Sequence, residues 1–310
     1  MFLRRTFKIS GRNNITNKED GYRRVLNETL FKNVKQLSNK SLENRKPDTI
    51  IFDVAGTIAD EFVMGVEYAF ITIFNRHKIK LTGKQARGPT GIDKYRHMKE
   101  IFTLPEVKQQ WFENYNRYPT ETDITELYKN YAPFQIKVLN TIQYTKLIPN
   151  TLDVIHKLST KYNMLFGITT GYTEAMMEQV LKSFQKQGFI PNSHIASDQV
   201  PKSRPHPDGI MKNLQQLKRS PLHTIKIGDT PVDIEEGNNA GCITIGIVGH
   251  SNKMGECVIN RNITTVKQHP NYYQTLNEAY TELKNANPDY IIYDITSLEK
   301  VIDDIYIKSS

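Results

Sequence analysis

Asp53 closes the short run Thr49-Ile50-Ile51-Phe52, and Thr57 follows it by four residues. Thr169 closes a second β-branched run and Asp229 a third, the latter in Gly228-Asp229-Thr230-Pro231-Val232-Asp233. Between these two runs stands a basic residue, Arg204, in Lys202-Ser203-Arg204-Pro205. Each feature alone is common, because an aspartate after an apolar run also serves as a helix cap or turn residue. In this order they describe one chemistry. Asp53 is placed to attack an electrophile such as phosphorus, while Thr57, Thr169 and the turn Thr170-Gly171 hold the electrophile's oxygens. Arg204 neutralises the charge that develops there. Asp53 and Asp229 would bind magnesium, a hard cation that lets one anion approach another. Asp233 is expected to support the metal loop through hydrogen bonds rather than by direct ligation.

Such groups need strand ends to carry them. Thr49–Asp53, Met164–Thr169, Thr224–Asp229 and Cys242–Val248 read as buried strands, with helices at Glu174–Gln187 and Val232–Ala240 between them. Strands alternating with helices predict an α/β fold, a Rossmann-like parallel sheet whose ligands sit at the carboxyl ends of the strands. A strand-like piece at Tyr290–Tyr293 and a further segment at Ile295–Ile305 follow a helix expected from about Pro270 to Asn285. The interval 66–147 carries helical patterns at Val66–His77, Ile92–Phe102, Pro105–Asn116 and Thr122–Leu139 without a buried strand. It reads as an inserted helical cap domain. The core domain is then 47–65 with 148–310. Trp111 is expected to anchor the cap helices, and Met176 and Met177 to pack inside.

The net charge of +8 is local, because residues 1–46 hold 12 Lys/Arg against 4 Asp/Glu and the rest of the chain is balanced. A basic nucleic-acid-binding body is therefore not supported, and the 1–46 segment lacks the aromatic interleaving that base stacking needs. That segment reads as a basic extension, disordered or a targeting leader, with some helix around Tyr22–Gln36. Its first 18 residues, basic and without acid, also fit a mitochondrial transit peptide. Cys242 and Cys257 show no metal-ligand spacing. No apolar run reaches the roughly 18 residues a membrane span requires. A soluble intracellular protein, cytoplasmic or in the mitochondrial matrix, is expected.

The order of motifs resembles the haloacid dehalogenase superfamily, which uses Asp-x-x-x-Thr, a Ser/Thr strand end, a Lys/Arg and an acidic fourth motif. Most of its phosphatases carry a second Asp two positions after the nucleophile, to protonate an alkoxide; here that position is Ala55. Phe52-Asp53-Val54-Ala55-Gly56-Thr57 resembles the nucleophile motif of the phosphonoacetaldehyde hydrolases (phosphonatases). The likeness continues through Ala86-Arg87-Gly88-Pro89-Thr90-Gly91-Ile92-Asp93-Lys94-Tyr95-Arg96-His97, Tyr118–Asp123, Thr169–Thr173 and Val200–Pro205. It implies a Schiff base between Lys94 and the substrate aldehyde, a backbone carbonyl of Ala55 on Mg2+, and a homodimer meeting through the cap. An iminium beside the carbon–phosphorus bond takes up its electrons as an enamine, so no acid at position 55 is needed. Lys94 and His97 are spaced i, i+3, which on a helix turns both to one cleft. His97 is the candidate proton shuttle, and Tyr172 a candidate substrate contact.

Thr90 and Val63 depart from the family pattern, which has methionine and cysteine there; both departures bear on substrate fit. Two other functions stay open on the sequence. One is a phosphomonoesterase acting on a small metabolite, which Ala55 disfavours. The other is a catalytically silent scaffold, which the intact Asp53, Thr169, Arg204 and Asp229 disfavour. Haloalkanoate dehalogenation is disfavoured too, because it needs no metal acid such as Asp229.

Overall fold

The structure, a computed structural model, describes residues 44–309. The expected basic extension and its helix at Tyr22–Gln36 lie almost wholly outside the described residues. Strand β1 (Thr49–Phe52) is buried along its whole length, as a strand covered on both faces must be. Four helices of a cap layer follow β1: α1 (Met64–Arg76), a short α2 (Gly83–Arg87), α3 (Lys94–Thr103) and α4 (Pro105–Tyr115). The long α5 (Glu121–Leu139) completes that layer.

The chain then alternates helix and strand as α6 (Thr151–Tyr162), β2 (Leu165–Thr169), α7 (Glu174–Lys186), β3 (Ser193–Ile195) and α8 (Asp208–Leu217). It continues as β4 (Thr224–Gly228), α9 (Pro231–Ala240), β5 (Ile243–Ile247), α10 (Tyr272–Asn285), β6 (Tyr290–Ile292) and α11 (Leu298–Lys308). Two core helices and one strand, α6, α8 and β3, are absent from the sequence reading. β3 has only three residues, with His194 in the middle, and leaves no periodic signal.

The sheet has six parallel strands in the order β3-β2-β1-β4-β5-β6. β1 lies between β2 and β4, with Phe52 level with Ile168 on one side and Ile227 on the other. The chain therefore leaves β1 and β4 at the same height beside the switch in strand order, where an open sheet forms its crevice. Asp53 and Asp229 are the residues just past those two ends.

The cap is held together by aromatic stacking. Phe70 of α1 lies between His97 of α3, at 4.2 Å, and Tyr131 of α5, at 4.3 Å. Phe102 packs on Phe74 and meets the edge of Trp111, so Trp111 is buried between cap helices as expected. Two strand-like connections join cap to core: Ile148 donates to Ile58 O at 2.8 Å, and Ala59 bridges Leu147. Asp60, Phe62 and Val63 in the outgoing connection have left-handed φ values of 49°, 64° and 60°. These conformations are costly for residues with a Cβ. They are locked by the Asp60 carboxylate, which accepts from Gly65 N at the start of α1, and by a bond from Phe62 N to His250 O.

On the opposite side the cap touches the core through contacts that only glycine permits. A Cβ on Gly171, in the loop after β2, would lie 2.2 Å from the Ile92 carbonyl oxygen, and one on Gly91 would lie 2.6 Å from Thr230 Oγ1. Substituting Gly171→Ala should therefore leave the sheet intact but keep the cap from seating, exposing the buried Lys94. Unchanged far-UV circular dichroism with faster amine labelling of Lys94, read by peptide mass mapping, is the expected result. An unchanged labelling rate would show that this contact does not limit closure.

Candidate active site

Asp53 is held from three directions. Its backbone N–H donates to Ile227 O of β4 at 2.9 Å, fixing the carboxylate at the mouth of the crevice. One oxygen, Oδ1, accepts from Arg204 Nη1 at 2.7 Å, and the other lies 3.4 Å from Thr57 Oγ1. The Thr57 hydroxyl is equally 3.4 Å from Asp229 Oδ1, so it stands between the two acids. Gly56 has φ +85° and no room for a side chain, because a Cβ there would lie 2.5 Å from Asp229 Oδ2. The glycine after Ala55 is what lets the two acids share one space.

Behind Asp53 lies a buried charge network. Arg204 also meets Asp233 Oδ1 at 2.8 Å and Glu236 Oε2 at 3.0 Å, and donates to the carbonyl of Thr169. Lys226, in the middle of β4 and without exposed surface, reaches Asp233 at 3.1 Å and Glu236 at 3.2 Å. The Thr169 hydroxyl donates to Glu236 at 2.9 Å and accepts from both Arg204 and Lys226. Thr169 is thus committed to holding Arg204. The neighbouring Thr170 hydroxyl, which accepts from Tyr172 N at 3.2 Å, is not tied into that network. Asp233 caps α9 through Thr230, which donates to it at 2.6 Å. Sequence reasoning missed Lys226 and Glu236. A lysine flanked by Ile225 and Ile227 in a strand buried on both faces, and a glutamate one helical turn after Asp233, were the available signals.

Lys94 begins α3, whose N-terminus is capped by Asp93 accepting from Arg96 N at 2.9 Å. Two bonds dock this end of the cap on the core: Arg96 donates to the carbonyl of Arg204 at 3.1 Å, and Ser203 donates to Asp93 at 3.1 Å. They bring the Lys94 ammonium within electrostatic reach of Asp53 and 5.1 Å from the centre of the Tyr172 ring. Among the described residues no hydrogen bond or ion pair holds Lys94. Burial lowers it to about 8, opposed by Asp53 and aided by Arg204.

His97 is fully buried one turn further on. Its Nε2 lies 2.9 Å from Ala86 O, which fixes Nε2 as the protonated nitrogen and leaves Nδ1 as an unpartnered acceptor. Burial, then the Lys94 charge, pushes its pKa well below the usual histidine range, so the ring is neutral. The Tyr172 hydroxyl is likewise buried and unpartnered. Lys94, His97 and Tyr172 are thus all buried, with Lys94 set against the Tyr172 ring.

One carboxylate oxygen from each of Asp53, Asp229 and Asp233 lies within 4.8 Å of the other two. Burial and the Asp53 and Asp233 charges push Asp229 well above the usual carboxylate range. Burial, then Asp233, raises Asp53, against the pull of Arg204 and Lys226. With Asp233 already matched by two cations, Asp53 and Asp229 are the pair that needs a divalent cation between them. The residues present therefore fit such an ion.

The family model for haloacid dehalogenase-like hydrolases matches residues 50–247. The phosphonoacetaldehyde hydrolase of Bacillus cereus (strain B4264) is 35% identical over 211 residues, covering 68% of this chain and 79% of that protein. A bifunctional phosphonoacetaldehyde hydrolase/aminoethylphosphonate transaminase of Clostridioides difficile (strain 630) is 31% identical over 85% of this chain, which spans 41% of that longer protein. Among solved structures, a phosphonoacetaldehyde hydrolase-like protein from Oleispira antarctica superimposes with a TM-score of 0.77 at 29% identity. It covers 85% of this chain and 94% of its own. A β-phosphoglucomutase from Clostridium difficile, at TM-score 0.61 and 15% identity, shares the fold.

Two measurements check this electrostatic picture. The 15N-ζ resonance of Lys94 should titrate near pH 8, against about 10.4 for an ordinary lysine; the amine is protonated below that midpoint and free above it. A midpoint near 10 would mean the ammonium is not desolvated. Lys226→Met strands Asp233 and Glu236 with one cation between them, and urea unfolding should show a loss of about 3–5 kcal/mol.

Proposed function

This chain belongs to the haloacid dehalogenase-like hydrolase family, in its phosphonoacetaldehyde hydrolase branch, and from that premise we propose that it splits phosphonoacetaldehyde into acetaldehyde and phosphate. The observation that carries the proposal is Lys94: a cap amine, buried, without a hydrogen bond or ion pair among the described residues, set against the Tyr172 ring and within electrostatic reach of Asp53. An ordinary phosphatase has no use for such an amine.

In this reading the neutral Lys94 amine adds to the aldehyde carbon and water leaves, giving an iminium. Asp53 then attacks phosphorus, and the electrons of the breaking carbon–phosphorus bond flow into the iminium to form an enamine. Arg204 steadies the Asp53 carboxylate during attack, while Thr57, Thr170 and the Gly171 amide hold the transferring oxygens. Neutral His97, with Nδ1 free, relays protons for imine formation and for protonation of the enamine carbon. Water next releases acetaldehyde from Lys94, and a second water releases phosphate from Asp53. A magnesium ion held by Asp53, Asp229 and the Ala55 carbonyl would screen the phosphonate charge from the attacking carboxylate. Because the leaving group is carbon and not alkoxide, Ala55 is sufficient where a phosphatase needs an acid.

A cleft of about 870 Å³ between cap and core runs down to Asp229, with Arg87, Thr90 and Asn252 in its walls. Asp229 lies in its lining while Asp53 and Lys94 do not; in this reading it serves as the approach for a small phosphonate, with the Thr90 departure in its wall. Val63 is fully buried against Gly56, so its departure acts on the shape of the nucleophile loop. Dimerisation through the cap, part of the same proposal, is supported by the exposed cap aromatics Phe112, Tyr115 and Tyr118.

Phosphate release from phosphonoacetaldehyde, with and without magnesium, tests the proposal beside Lys94→Ala and Asp53→Ala. The wild type should turn over only with the cation, and each variant should lose at least about three orders of magnitude. Equal release by Lys94→Ala would rule out the imine, and faster turnover of simple phosphate esters would favour a phosphomonoesterase.

A further inference from the structure

The cap carries a buried ion pair that no step above uses. Arg87, at the end of α2, pairs with Glu67 of α1, and both side chains are at least nine-tenths buried. The guanidinium does not stop there. Its Nε donates to the carbonyl of Asn252 at 3.1 Å, in the core loop after β5, while Asn252 Nδ2 returns a bond to the Arg87 carbonyl at 3.3 Å. The backbone N–H of the same Asn252 donates to Asp229 Oδ2 at 2.8 Å. Gly255 closes the contact from the core side, since a Cβ there would lie 2.6 Å from Arg87 Nε. An unbroken series of bonds therefore runs from the cap, through one core residue, to the acid that faces Asp53.

We propose that Arg87 and Asn252 are positioning residues that link cap docking to cation binding: docked, the cap holds Asn252 so that its amide fixes Asp229 Oδ2, leaving Oδ1 for the ion. The inference rests on the reading that Asp229 holds a divalent cation. Linkage must run both ways, so the cation must in turn steady the cap segment around Arg87. A purely structural ion pair would stabilise the cap without making its dynamics respond to the ion.

Arg87→Met with Glu67→Met removes both charges together and avoids stranding one in the interior. Arg87→Lys keeps a charge beside Glu67 but lacks the Nε–H that bonds the Asn252 carbonyl, and serves as a second test should the double variant not fold. Magnesium binding is measured by calorimetry on the full chain, and amide hydrogen exchange over residues 83–94 with and without the ion. In the wild type, magnesium should slow exchange in that segment. In either folded variant its dissociation constant should rise about tenfold and the slowing should be lost. Wild-type exchange that ignores magnesium, or variants that bind it within about twofold of wild type, would overturn the linkage. A wild-type chain that binds no magnesium would instead remove the cation reading beneath it.

Discussion

An amine and a carboxylate, carried by different layers of the fold, have to lose their water together. Lys94 comes from the first turn of a cap helix and Asp53 from the end of the central strand, and each is over nine-tenths buried in the closed structure. Desolvation pulls the amine down and the acid up. For an electrophile with a carbonyl at one end and phosphorus at the other, this pairing suits the chemistry: an amine whose free form is reached near pH 8 instead of above 10, beside a desolvated carboxylate. Most other features of the molecule serve that juxtaposition. The glycines at Gly171 and Gly91 permit the close approach of cap to core, and left-handed residues at Asp60, Phe62 and Val63 carry the chain from one to the other.

Dry carboxylates in such number would repel one another without the cations set among them. Arg204 and Lys226 stand within a group of three acids, Asp53, Asp233 and Glu236, and Thr169 joins the two cations through one hydroxyl. A network like this is costly to build and costly to break. It holds Arg204 at one oxygen of Asp53 and leaves the other oxygen facing the Thr57 hydroxyl. Among the described residues Asp229 stands outside this compensation, met by backbone amides and the Thr57 hydroxyl, and its repulsion with Asp53 is what makes the pair compatible with a divalent cation.

Much of this was legible in the chain because strand ends announce themselves. A β-branched run that stops at a polar residue fixes the height of that residue in a parallel sheet, and three such runs, two ending in an acid and one in a threonine, were enough to place Asp53, Thr169 and Asp229 along one edge. Lys94 was legible only through resemblance, since a lone lysine carries no sign of burial. The two threonines were not separable in sequence: Thr169 turns inward to Arg204 and Lys226, and Thr170 stays outside that network. Lys226 and Glu236 required knowing that β4 is covered on both faces. Arg87 and Asn252 are 165 residues apart and meet through a backbone carbonyl and amide, a contact to which side-chain patterns are blind. The short β3 escaped for a simpler reason, having too few residues to show a period.

The most direct measurement is reductive trapping. The full chain is mixed with phosphonoacetaldehyde and borohydride, digested, and mapped by mass spectrometry. Imine chemistry predicts one two-carbon adduct, on the peptide containing Lys94, with loss of activity in proportion to labelling. Phosphate released at the full rate with Lys94 unmodified, or with the adduct on another lysine, would contradict it.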